Sequence, residues 1–299
     1  MSTADSQTGA EWPSALPANR YAIASGLRSL GIGDGDTVFF HSSLRSLGRV
    51  EGGADTVIDS FLDTVGPTGT VVAPTFTLLD RVGPFGSWYH HHASPSTVGA
   101  VTEALRCRID AVRSFHPIHS VAAIGRQKHE LTAPHATAHG RTSPWCDAAF
   151  AHDSPLDLMV RRDVWYLLLG VGFHVQTIAH YVETILADEI LRCATTSARD
   201  DLRAGIRTWG RSGVWASFDR VKLGNALVQL GAYQVHDLCG ARVHISRGKP
   251  LVRAILDIVL GEPEQWLNEP FRAWMGASPD AASMHERYTS SAGVPALEG

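Results

Sequence analysis

The sequence predicts an α/β fold, a mixed and largely parallel central sheet flanked by helices. Three observations predict it. Short β-rich runs alternate with segments whose apolar residues recur at helical spacing. The runs at 70–74 and 164–171 are almost continuously apolar, as strands covered on both faces are. Strand, helix and strand follow one another between residues 37 and 74, the order of a right-handed crossover.

Tyr21, Ile23, Leu27 and Leu30 lie at helical spacing and Gly31 closes them, which predicts a first helix over 18–30. A strand follows at 37–40, bounded by Gly33-Asp34-Gly35-Asp36 and by His41-Ser42-Ser43. Val57, Ile58, Phe61, Leu62 and Val65 share one helical face over 55–65, and Gly66-Pro67 stops that helix before the strand at 70–74. Residues 97–108 read as a helix, 120–124 and 164–171 as strands, and 177–190 as a helix. Helices at 223–230 and 250–260 enclose a strand at 241–246. No repeat or linker divides the chain, so 1–276 is expected to form one domain and 277–299 an irregular, mobile tail.

With 299 residues, a net charge of −4 and 44% hydrophobic residues, the chain can bury a full core and carries no cationic excess for nucleic acid. No apolar stretch approaches the roughly 20 residues that cross a bilayer, and the polar start Met1-Ser2-Thr3-Ala4-Asp5 lacks a signal-peptide pattern; a cytoplasmic protein is expected. Cys107, Cys146, Cys193 and Cys239 are scattered without a C-x-x-C pair and read as reduced, buried apolar side chains.

Residues 41–77 join a strand end to a helix start. Ser42, Ser43 and Ser46 offer hydroxyls, Gly48, Gly52 and Gly53 permit close backbone approach, and the helix start near Asp55 offers free N–H groups. The loop is open to two readings, an ordinary turn or an anion cradle. It is neither a Walker motif nor G-x-G-x-x-G, which argues against nucleotides.

The run H-S-S-L-x-S-L-G-x-V-x-G-G-A-x-T-V-I-D, followed by G-P-x-G-T-x-V-x-P-T-F-T, resembles the acetyl-CoA-binding half of the aminoglycoside 3-N-acetyltransferases. The likeness continues at 113–125, at 167–172 and at 177–183, and spans about residues 20 to 260. It implies the antibiotic N-acetyltransferase fold rather than the GNAT fold, with acetyl-CoA as co-substrate. It nominates Ser42, Ser43, Leu44, Gly48, Val50, Gly52 and Gly53 along the coenzyme, with Thr75 and Ser120 as secondary positions.

Thr177, His180 and Glu183 stand at i, i+3 and i+6, so their side chains share a helical face and the imidazole can meet the carboxylate. Spacing alone leaves two readings, a structurally satisfied histidine or a base with its orienter. The resemblance, through the T-x-x-H-x-x-E pattern after L-G-V-G, implies that His180 is the general base and Glu183 its support in direct acetyl transfer. Backbone N–H groups near Thr75-Phe76 or the Ser120 hydroxyl are the expected oxyanion donors. His116, His119 and Asp80 are candidates for the acceptor side.

A polycationic acceptor calls for carboxylates, yet between Thr77 and Ser96 only Asp80 appears, among Arg81, Phe85, Trp88, Tyr89 and His90-His91-His92. Arg192, Arg203, Arg207, Arg211 and Arg220 follow with few acids. The expected partner is a small-molecule amine, either an aminoglycoside or related amino sugar or a less cationic amine of natural-product biosynthesis. A homodimer is the candidate assembly. Two rivals stand beside the transferase: a metal-dependent hydrolase built on His90, His91, His92, His116 and His119, and a coenzyme-binding module without catalysis. No metal site is expected, because cysteine and carboxylate partners at ligand spacing are missing.

Overall fold

The computed structural model describes residues 17–77, 90–116, 118–133, 149–206, 213–275 and 280–290. Within them a single seven-stranded sheet forms from β1 (Thr37–Ser42), β2 (Thr70–Pro74), β3 (Val112–Arg113), β4 (Val121–Gly125), β5 (Trp165–Leu169), β6 (Gln234–Leu238) and β7 (Ala241–Arg247). The spatial order is β3-β4-β2-β1-β5-β7-β6. Parallel pairing is confined to the middle, where β1 lies between β2 and β5 with Phe39 opposite Val72 on one side and Tyr166 on the other. The outer pairs are antiparallel. The mixed sheet agrees with the sequence prediction, while its parallel part is limited to the three strands that read most plainly as apolar runs.

Twelve helices accompany the sheet among the described residues: α1 (Arg20–Ser29), α2 (Gly53–Val65), α3 (Ala100–Cys107), α4 (Lys128–Thr132), α5 (Pro155–Arg161), α6 (Ile178–Cys193), α7 (Thr196–Gly205), α8 (Arg220–Gln229), α9 (Gly248–Gly261), α10 (Pro263–Trp266), α11 (Glu269–Met275) and α12 (Ala281–Thr289). Side chains alternate across each strand. Val38, Phe40, Val71, Ala73, Leu167 and Leu169 therefore pack with Ile23, Leu27, Ile58, Phe61 and Leu105 of α1 to α3. On the other face, Phe39, Val72, Tyr166 and Leu168 pack with Met159, Val182, Ile185, Leu251 and Ile255 of α5, α6 and α9.

Two expectations are corrected. The segment after 276 is not irregular throughout, because 281–289 form α12, capped by the Asp280 carboxylate, with Met284 and Tyr288 buried against the second core. Cys107, Cys193 and Cys239 are free thiols on exposed residues rather than core side chains, and Cys146 lies outside the described residues.

Candidate active site

The central parallel strands end on a common side, and the loops that leave them enclose a cavity of about 280 Å³. Ligand sites of open α/β sheets form at that edge because the chain leaves adjacent strands in diverging directions. His41 and Ser42 come from the end of β1, Phe76 follows β2, His119 precedes the antiparallel β4, and Thr177 and His180 open α6.

α6 begins directly after a short 3-10 turn, Phe173–Val175, and puts His180 within its first turn. Imidazole Nδ1 lies 2.9 Å from Oε2 of Glu183. That carboxylate is 3% exposed and also accepts the Phe218 amide at 2.9 Å and the Trp215 indole N–H at 2.9 Å. Burial alone would push the Glu183 carboxyl up; the adjoining His180 and the two further donors outweigh it and hold the group below the usual carboxylate range. On the other side of the ring, Arg220 Nη1 stands 2.8 Å from Nε2. A guanidinium only donates, so Nε2 accepts and the neutral ring carries its proton on Nδ1, toward Glu183.

The segment from Trp215 to Arg220 thus touches the dyad three times. It is held in turn by Asn268, which donates to the Trp215 carbonyl at 2.5 Å, and by Gln176, which donates to the Arg220 carbonyl at 2.7 Å. Sequence reasoning missed Arg220 as a site residue because the contact spans 40 positions. His41 was missed as well. Its Nε2 meets Thr177 Oγ1 at 2.7 Å and the Tyr166 hydroxyl at 3.2 Å, and burial takes its pKa down to about 3. Its position at the carboxyl end of a central strand was the available signal.

The nominated residues fall into three groups. Ser42, His119 and His180 line the cavity, and Glu183 backs His180. Ser42 Oγ is buried and has no hydrogen-bond partner among the described residues. His119 sits with its ring centroid 6.2 Å from that of His180 and 5.0 Å from that of Phe150. The loop after β1 forms the second group: the Ser43 amide donates to the Leu169 carbonyl at 2.9 Å, Leu44 and Val50 pack on the core, and Val50 bridges Ala18. Gly48, Gly52 and Gly53 take positive φ, and a Cβ at Gly48 or Gly53 would meet no atom within 4 Å, so the loop keeps an open side.

The third group is corrected. Thr75 and Ser120 do not reach the cavity: both are fully buried, the Thr75 amide donates to the Ser120 carbonyl at 2.8 Å, and the Ser120 hydroxyl donates to the Thr75 carbonyl at 2.9 Å. Arg113 braces the pair through Nε to Ser120 Oγ at 3.0 Å and Nη2 to the Thr75 carbonyl at 2.6 Å. The Thr75 amide and the Ser120 hydroxyl are thus engaged in hydrogen bonds within the fold, while Phe76 lines the cavity. His116 is also fully buried, with Nδ1 accepting the His119 amide at 2.9 Å; it shapes the turn that presents His119. Asp80 lies outside the described residues. Among those residues the histidines proposed for a hydrolase do not form a metal-ligating group; His152, Asp153 and Asp157 do come together, but Arg161 already pairs with both carboxylates.

Comparison with known proteins gives a consistent answer. A sequence model of the aminoglycoside 3-N-acetyltransferase family matches residues 39–259. The chain is 35% identical over 211 residues to aminoglycoside N(3)-acetyltransferase VII of Streptomyces paromomycinus, covering 65% of this chain and 70% of that protein. The crystal structure of aminoglycoside acetyltransferase AAC(3)-Xa superposes with a TM-score of 0.62 at 25% identity over 84% of this chain and 94% of that one. AAC-IIIb, solved as a binary complex with CoASH, shares the fold with a TM-score of 0.64 at 20% identity, over 85% of this chain and 98% of its own.

Proposed function

Because the chain belongs to the aminoglycoside 3-N-acetyltransferase family, and so is an N-acetyltransferase with acetyl-CoA as co-substrate, we propose that it acetylates an amine by direct transfer with His180 as general base. One observation carries this reading: an imidazole at the cavity wall, with Nδ1 against a buried carboxylate and Nε2 on the far side of the ring, beside Arg220.

In the transfer, the acceptor nitrogen attacks the thioester carbonyl while Nε2 takes one of its protons. The C–N bond forms as the C–S bond breaks, and the imidazolium returns the proton to the departing CoA sulfur. Glu183, kept ionised by its three donors, stabilises the imidazolium. The developing oxyanion needs a donor that nothing else uses, and the unpartnered Ser42 hydroxyl at the cavity wall fits that need. The coenzyme runs along the open side of the loop at Gly48 to Gly53, beside the start of α2.

The acceptor is an aminoglycoside or related amino sugar, or else a less cationic amine. The cavity favours the second, since its described lining contains no aspartate or glutamate and does contain Arg220. Thiol release from acetyl-CoA, measured with kanamycin-like polyamines and with amines of lower charge, tests the proposal. Turnover with an amine, and no acetyl group on the protein by mass spectrometry, is the expected result. A stable acetyl-enzyme would contradict direct transfer.

A further inference from the structure

A second, smaller hollow adjoins the cavity. Phe76, His119 and Thr177 line both, and beyond them the side chains that line the hollow are all apolar. Phe39 comes from β1, Val121 from β4, and Leu156 and Met159 from α5; each is 5% exposed or less. The hollow holds about 10 Å³, close to what one water-sized group requires. Water is a poor occupant, because it needs two or more polar partners. The hollow offers only the His119 ring and the Thr177 hydroxyl, and the hydroxyl already meets His41 at 2.7 Å. An apolar group of methyl size is the better match, and the unbranched Met159 side chain can adjust around it.

The hollow lies where the reacting acyl group must be. Phe150 forms one of its walls and lies beside His180, with ring centroids 5.6 Å apart, and His119 stands 6.2 Å from the same ring. A thioester carbonyl placed at His180 carries its three substituents in one plane. Its oxygen goes toward Ser42 and its sulfur back toward the coenzyme loop, so the methyl takes the third direction, while the acceptor nitrogen approaches across the plane. Neither Ser42 nor any residue of that loop lines the hollow. A methyl seated there leaves water for an apolar wall, which favours binding of the donor. Each further carbon meets Leu156 or Met159, whose surroundings are packed core.

We propose that this hollow is the acyl subsite and that Met159, with Leu156, restricts the donor to acetyl. The inference rests on the acetyl-transfer reading and adds to it the part of the protein that measures the acyl chain. Neither side chain can exchange a proton, so their effect falls on donor choice rather than on base catalysis.

The test measures thiol release by the full chain from acetyl-, propionyl- and butyryl-CoA with kanamycin as acceptor, together with the affinity of each donor in the absence of acceptor. The unaltered chain is expected to prefer acetyl-CoA over butyryl-CoA in kcat/KM by roughly 10- to 100-fold, the range over which an apolar pocket discriminates chain length. Met159→Ala should bring that ratio close to one by a gain on butyryl-CoA. Leu156→Val removes a single methylene, disturbs the core less, and should move the ratio the same way by a smaller factor. A methionine that only packs would lower turnover of all three donors alike. Butyryl-CoA used as well as acetyl-CoA by the unaltered chain, or a ratio unmoved in both variants, overturns the subsite and leaves acetyl transfer intact. Absence of thiol release from every donor, with kanamycin and with amines of lower charge, overturns the transfer reading; the subsite then stands if acetyl-CoA binds more tightly than butyryl-CoA and falls if it does not.

Discussion

His41 sits neutral beneath the site because burial has lowered its pKa from 6.5 to about 3. Unfolded, the same ring takes up a proton near its ordinary pKa, so between these values the unfolded chain binds more protons. The stability that the neutral ring permits is complete above about pH 6.5 and declines toward pH 3, with a slope near 1.4 kcal/mol per pH unit. Urea denaturation at a series of pH values should show that slope reduced by about one proton in His41→Asn; an identical slope would contradict the burial assigned to it. At Glu183 the consequence is catalytic. Glu183→Gln keeps the shape but cannot stabilise an imidazolium, and kcat for acetyl transfer should fall by about 100-fold or more with KM for acetyl-CoA little changed. An unaffected kcat would show that the carboxylate only packs.

At the scale of elements, the site is made by what α6 meets rather than by α6 alone. The spacing of Thr177, His180 and Glu183 was legible, since a helix places i and i+3 together whatever its surroundings. The geometry nevertheless differs from a single polar face: Thr177 bonds His41, and His180 pairs with Glu183. The partners of that pair, Trp215, Phe218 and Arg220, come from a segment with no local signature. α12 was hidden for a related reason, being short and polar except where it docks. Tyr288 donates to Glu189 of α6 at 3.1 Å and Arg287 pairs with the same carboxylate at 2.6 Å, while Met284 is fully buried. Met284→Ala should cost about 2–5 kcal/mol, read as a shift in the denaturant midpoint; a change under about 0.5 kcal/mol, typical of surface positions, would mean that α12 is not part of the core.

Over the whole molecule, legibility follows burial. β1, β2 and β5 lie inside the sheet and show as apolar runs, so the α/β class could be read directly. β6 escaped because it is an edge strand with four of its five residues exposed, and β3 because it is two residues long. The same logic divides the nominated site. Ser42 and His180 stand where strand ends and a helix start converge, whereas Thr75 and Ser120 join the Arg113 network below the cavity floor. A pairing such as that of Arg220 with His180 depends on how distant parts of the chain pack, and no local pattern encodes it.

The most direct test of the account is the rate of thiol release by His180→Ala under saturating acetyl-CoA and acceptor, with CoA titrated against the same preparation. A fall in kcat of roughly 10²- to 10⁴-fold with unchanged CoA affinity is the predicted result. Full turnover by the variant would contradict the assignment of His180 as the base.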